Sequence, residues 1–237
     1  MNGLAKHTEK VFEYVSKMDC IKNYTLIGGT ALALQLQHRL SEDLDFCRWK
    51  THIDKKNAVD WPAITQELSA LGEVSREVLD ADQCDFIVQG VKVSFYDNNR
   101  LKEPDVLHKQ PFLNNLRIAD VASIGVMKME VMSRRTAYRD YYDMYAILNN
   151  GVSLDSVISG AERYSQHALR TKNILSILTD MDNVPIDKTF DKLFPTYHIT
   201  NAEMQLFFAD KIREYIVANN LQNKTSLTSV VERTTKK

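Results

Sequence analysis

The sequence predicts an α+β (α/β) fold: a mixed α/β half with a small mixed sheet up to about residue 119, then a bundle of helices. Three observations carry this. Short apolar runs such as YTLI (24–27) stop at glycine or polar residues. The stretch DLDF (43–46) alternates acid and apolar residue, the period of a half-buried strand. From Asp120 onward, apolar residues recur at helical spacing almost without a break.

In chain order, Leu4, Val11, Phe12, Val15 and Met18 place a helix over 4–19. YTLI is a short buried strand, broken by Gly28-Gly29. TALALQLQHR (30–39) is expected as a helix with Leu32, Leu36 and Leu40 on one face, and DLDF as the next strand. A helix follows over 57–71, then strands over 73–79 and 84–97, the latter folded into a hairpin at Gln89-Gly90. LRIA (116–119) is one more strand. Helices are expected near 120–133, 138–149, 154–165, 170–180 and 201–218. The expected division is an α/β domain over 1–119, a helical domain over 120–220 and a polar, frayed tail over 221–237.

The 237 residues contain 30 basic and 31 acidic side chains, for a net charge of −1. No overall basic field marks a nucleic-acid binder, though a local patch is compatible with that balance. Cys20, Cys47 and Cys84 lack metal-ligand spacing and are expected as free thiols in a reducing cytoplasm. No apolar run of membrane-spanning length and no signal-peptide pattern is present, so a cytoplasmic protein away from the membrane is expected.

The chemistry concentrates in LIGGTALALQLQHRLSEDLDF (26–46). Alternation puts Asp43 and Asp45 on one face of a strand, about 7 Å apart, while Leu44 and Phe46 point into a core. Two adjacent carboxylates repel unless a cation lies between them, and oxygen ligands suit Mg²⁺ or Mn²⁺. Gly28 and Gly29 before a helix allow close backbone approach, and a helix start offers N–H groups to phosphate.

This stretch resembles the polymerase-β-like nucleotidyltransferase superfamily, whose signature is a strand, Gly-Gly or Gly-Ser, a helix and Asp-x-Asp on the next strand. His38-Arg39, Ser41 and the run Asp43-Leu44-Asp45-Phe46 bring it closer to the AbiEii/AbiGii-type nucleotidyltransferases, toxins of bacterial toxin–antitoxin and phage-defence pairs. VMKMEVMSRRTAYRDYYDMYAIL (126–148) and GVKVSFY (90–96) extend the likeness over roughly residues 20–150. The resemblance implies a minimal nucleotidyltransferase palm followed by a helical bundle that closes the cleft. It implies a nucleoside triphosphate as substrate, Asp43 and Asp45 as ligands of Mg²⁺ or Mn²⁺, and an acceptor hydroxyl on RNA such as tRNA, or on protein. A cognate antitoxin protein is implied as a partner.

Each residue also has a plainer reading. Gly28-Gly29 fits a tight turn as well as a phosphate contact, and Thr30 fits a helix cap or a triphosphate contact. Arg39 suits a helix surface, a structural pair or a nucleotide; His38 suits packing; Ser41 suits a turn or a nucleotide contact. Lys128 falls in the apolar stripe of its helix, between Val121 and Ile124, where it either snorkels outward or is needed. The resemblance points it at the β- and γ-phosphates. Arg139 and Asp143 are spaced for an ion pair, while the resemblance turns Asp143 toward the cleft. Asp140 is expected to be structural, and Tyr138, Tyr141 and Tyr145 to pack in a core. Lys128, Arg134, Arg135 and Arg139 form a local basic cluster that fits an RNA surface or a solvated helix end.

One departure stands out. Members of the superfamily often carry a third carboxylate on a later strand; here Ser94 occupies that place, and Asp143 is the candidate replacement. Two alternatives follow: a degenerate fold that binds nucleotide or RNA without chemistry, or a transferase acting on a small molecule such as an antibiotic.

Overall fold

A computed structural model describes residues 1–49, 59–98 and 106–234, with side chains through residue 220. The strands are β1 (Thr25–Ile27), β2 (Leu44–Trp49), β3 (Val74–Leu79), β4 (Gln83–Val88), β5 (Val91–Asn98), β6 (Lys109–Leu113) and β7 (Leu116–Ala119). The α-helices are α1 (Lys6–Val15), α2 (Gly28–Leu36), α3 (Trp61–Leu68), α4 (Val121–Met132), α5 (Tyr138–Asn149), α6 (Leu154–Tyr164), α7 (Thr171–Thr179) and α8 (Asn201–Thr234).

All seven strands join one mixed sheet in the order β3-β4-β5-β2-β1-β7-β6. β2 lies at its centre, antiparallel to β1 and parallel to β5. Alternation explains why β2 can be central. Leu44 and Phe46 are fully buried on one face, and Phe46 stacks on Phe95 of β5 at 5.3 Å between ring centroids. Asp45 and Cys47 take the opposite face. The β4–β5 hairpin turns at Gln89 and Gly90, both with positive φ, the two-residue turn that matches strand twist.

Several elements differ from expectation for identifiable reasons. α2 begins at Gly28 and stops at Leu36, where Gln37 adopts left-handed backbone with φ of 51°. His38 and Arg39 therefore leave the helix and turn inward. β6 carries almost no sequence signal: it is an exposed edge strand and contains Pro111, which cannot donate to a ladder. α3 begins at an Asp60 cap, and residues 57–58 of the expected helix lie outside the described residues. The helix expected over 201–218 continues through Thr234, so the tail expected to fray is helical in backbone to that point.

Two apolar clusters hold the chain. One packs α1, α2 and α3 on the sheet and takes in Ile124, Val126, Met127 and Ile147 from α4 and α5. The other lies among α5, α6, α7 and α8, around Tyr142, Met144, Ile174 and Phe208. Packing thus runs across residue 119. α4 and α6 cross closely at Gly160, whose missing Cβ leaves room for Val126. No helix among the described residues is long and apolar enough to cross a membrane.

Candidate active site

A cleft of about 1090 Å³ opens between the sheet face that carries Asp45 and the first turns of the helical half. Gly28, Gly29, Arg39, Ser41, Asp43, Asp45 and Lys128 all line it. On the sheet side, both glycines lie tight against charged side-chain ends. Gly28 has φ of 70°, and a Cβ there would lie 2.8 Å from Asp45 Oδ2; a Cβ on Gly29 would lie 2.5 Å from Arg39 Nη2. No side chain caps the start of α2. The helix start is thus bare backbone with a carboxylate and a guanidinium drawn against it.

Thr30 is fully buried and does not line the cleft. Its Oγ1 donates to the Asp43 carbonyl and accepts from Ser41 Oγ at 2.8 Å, tying α2 to the segment that carries the acidic pair. Asp43 is exposed just before β2, and Asp45 is half-buried as its second residue. Burial, reinforced by the charge of Asp43, pushes the Asp45 carboxyl up to about 6. Burial also raises Asp43, with Lys92 the strongest charge opposing the rise.

On the helical side, four cationic or imidazole groups converge on two buried carboxylates. Arg39 grips Asp143 bidentately, His38 Nε2 lies 2.8 Å from Asp143 Oδ1, and Lys128 Nζ lies 2.7 Å from Asp143 Oδ2. Lys128 also donates to Asp140 Oδ1 at 2.7 Å, and Arg135 Nε donates to Asp140 Oδ2 at 2.9 Å. Burial alone would raise Asp143, but the charges of Arg39 and Lys128 outweigh it and hold the carboxyl well below the ordinary range. Burial would likewise lower Lys128, yet Asp143 and Asp140 keep it protonated. Burial lowers His38, so its neutral ring donates from Nε2.

The arrangement revises several expectations. Arg39 is not a surface helix residue, because α2 ends before it. Arg139 does not pair with Asp143; its Nε donates to Asp187 Oδ2 at 2.7 Å. Asp143 lies behind Lys128 and Arg39, fully buried and outside the cleft lining, with its oxygens held by Arg39, His38 and Lys128. It holds Arg39 and Lys128 side by side. Asp140, expected to be only structural, lines the cleft and shares Lys128. Tyr141 and Tyr145 pack against Phe208 and Phe207, as a core stripe would, while Tyr138 packs on Phe190 and also reaches the cleft.

Sequence reading missed the Lys92–Asp85 pair, at 2.7 Å on the sheet side of the site. The signal was available: a two-residue turn at 89–90 sets Asp85 opposite Ser94.

The donors fit a divalent cation of the magnesium or manganese kind. Asp43 and Asp45 supply oxygen ligands whose mutual repulsion an ion would relieve. Among the described residues no three His, Cys, Asp or Glu side chains gather to hold an ion.

A bare helix start and an acidic pair on the sheet face a basic cluster centred on Lys128, and comparison with known proteins places this fold among the nucleotidyltransferases. Residues 14–215 match the model of the AbiEii nucleotidyl transferase toxins of type IV toxin–antitoxin systems. The chain belongs to that family. An uncharacterized Aquifex aeolicus (strain VF5) protein is 23% identical over 223 residues, covering 91% of this chain and 99% of that one. A protein from H. pylori solved as a candidate nucleotidyltransferase superposes with a TM-score of 0.58 at 17% identity, over 93% of this chain and 98% of that one. The nucleotidyltransferase toxin MenT4 of Mycobacterium tuberculosis H37Rv gives 0.53 at 16% identity, over 81% and 78%.

Proposed function

We propose that this protein transfers a nucleoside monophosphate from a nucleoside triphosphate to an acceptor hydroxyl, on RNA such as tRNA or on protein. It would act as the toxin of a toxin–antitoxin or phage-defence pair in the cytoplasm, with an antitoxin protein as partner. The observation that carries the reading is the placement of Asp43 and Asp45 beside the bare start of α2, across one cleft from Lys128. Family membership and the fold shared with MenT4 support it.

In this reading the start of α2 takes phosphate oxygens through backbone N–H groups at Gly28 and Gly29. Lys128 and Arg135 meet the negative charge of the β- and γ-phosphates from the opposite wall. Ser41 and Arg39 shape the floor between them. A divalent ion held by Asp43 and Asp45 would supply charge neutralisation at the α-phosphate. The acceptor oxygen forms a bond to the α-phosphorus, the bond to the β-phosphate oxygen breaks in line, pyrophosphate leaves and the hydroxyl proton passes to solvent.

Pyrophosphate release tests this directly. The full chain is incubated with each nucleoside triphosphate, Mg²⁺ or Mn²⁺, and total bacterial RNA and protein. Release that needs the metal and disappears in the Asp43→Asn/Asp45→Asn double variant is expected. Release unchanged by the double variant would reject the assignment.

A further inference from the structure

We infer that this site is built for one divalent ion rather than two, with the Lys92 ammonium, anchored on Asp85, as its fixed second positive charge. The inference rests on the nucleotidyl-transfer reading above.

Strand register supplies the geometry. Asp85 of β4, Ser94 of β5 and Asp45 of β2 lie opposite one another in one row across the sheet. On the sheet, the position from which a carboxylate would share a second ion with Asp45 is that of Ser94, its register partner on β5. A serine hydroxyl there is a short, neutral and weak ligand. Asp85 is the next acid along the row, two strand spacings from β2, or about 9–10 Å. Ions of a two-metal site lie about 3.5–4 Å apart and share carboxylates, so Asp85 is too far to bridge to Asp45.

Asp85 is also occupied. Its Oδ2 takes Lys92 Nζ at 2.7 Å, and its Oδ1 takes Gln83 Nε2 at 3.1 Å, with the carboxylate almost fully buried. Lys92 precedes Ser94 by two residues on the same strand, so it shares its face, and it lines the cleft with Asp43 and Asp45. A second divalent ion at this spot would face that ammonium as a like charge. The hydrogen bond that Lys92 donates to Asp85 holds it in its protonated form, and the charges of Asp43 and Asp45 add to the effect. The positive charge that a second ion brings elsewhere is therefore already built into β5.

Manganese electron paramagnetic resonance on the full chain with a non-hydrolysable triphosphate analogue tests this, at a pH well above the Asp45 value of about 6. The expected spectrum is that of a single, uncoupled Mn²⁺ whose binding is lost in Asp45→Asn. An exchange-coupled manganese pair would overturn the inference while leaving the transferase reading intact. No Asp45-dependent Mn²⁺ at all would overturn the reading beneath it and the inference with it. The double variant Lys92→Met/Asp85→Asn removes the pair without stranding a carboxylate. It should bind Mn²⁺ about threefold tighter, because a competing charge has gone; unchanged or weaker binding would contradict the role given to Lys92.

Discussion

Arg39 and Asp143, 104 residues apart in the chain, meet through two parallel hydrogen bonds, Nε to Oδ1 at 2.7 Å and Nη2 to Oδ2 at 2.9 Å. The pair joins the segment leading into the acidic strand to the helix behind Lys128. It fixes both walls of the cleft at once, and Gly29 is the residue that lets the guanidinium through.

Removing Asp143 should be costly. Asp143→Ala strands Arg39 and Lys128 as buried charges without their shared partner. Loss of one member of such a pair costs about 3–5 kcal/mol, read from urea unfolding. The pH dependence has a definite sign. The Asp143 carboxyl is held below its unfolded value, so its contribution is present above the ordinary carboxylate range and is lost as pH falls toward the folded value. Acid unfolding of the wild type should therefore start at a higher stability than that of Asp143→Ala and converge with it at low pH.

Lys128 lines the cleft and is shared between Asp140 and Asp143. Lys128→Ala should lower the transfer rate by about 10²–10³-fold, the usual effect of deleting a charge stabiliser at a reacting phosphate. Lys128→Arg should fail to rescue it, because the ammonium fits between Asp140 and Asp143 at 2.7 Å from each and a planar guanidinium does not. Steady-state kinetics of both variants, with unfolding curves alongside, check this. Full rescue by arginine would show that charge alone is used.

Asp45 makes the opposite pH statement. Its carboxyl is raised by burial and by Asp43, from the ordinary value to about 6. The folded chain binds that proton more tightly than the unfolded one. Stability without metal should thus fall as pH rises from the ordinary carboxylate range to about 6 and stay lower above it. Asp45→Asn should be more stable than wild type at neutral pH, by up to about 3 kcal/mol, and should have lost metal binding. Equal stability at neutral pH would mean that neither burial nor Asp43 strains the Asp45 carboxylate.

Gly28→Ala should harm the site more than its size suggests. The substitution places a Cβ on left-handed backbone and 2.8 Å from Asp45 Oδ2. A cost of about 1–3 kcal/mol is expected from strain and overpacking, with weaker nucleotide binding. Thermal unfolding and titration with a triphosphate analogue measure the two effects.

Much of this site was legible before the fold was seen, because periodicity fixes faces. Alternation placed Asp43 and Asp45 together, and helical spacing put Lys128 in an apolar stripe where a lysine needs a reason. Two features were hidden for physical causes. Gln37 breaks α2 without the glycine that usually marks a left-handed residue, so Arg39 read as a helix surface residue when it is buried. The partner of Asp143 could not be chosen from sequence either. Spacing favoured Arg139, but Arg39 and Lys128 arrive from other elements, and Arg139 reaches Asp187 instead. The Lys92–Asp85 pair was within reach, since the hairpin turn alone sets its register. Edge strand β6 was not, because burial leaves little pattern on a strand exposed along its length.

One comparison goes to the heart of the proposed chemistry. Each nucleoside triphosphate, labelled at its α-phosphate, is offered with Mg²⁺ or Mn²⁺ to the wild-type chain and to Asp45→Asn in the presence of total bacterial RNA and protein. The expected result is label joined covalently to an RNA or protein acceptor by the wild type, with none joined by the variant. Label transferred equally by both, or by neither although the wild type binds the nucleotide, would contradict transfer at the Asp43–Asp45 site.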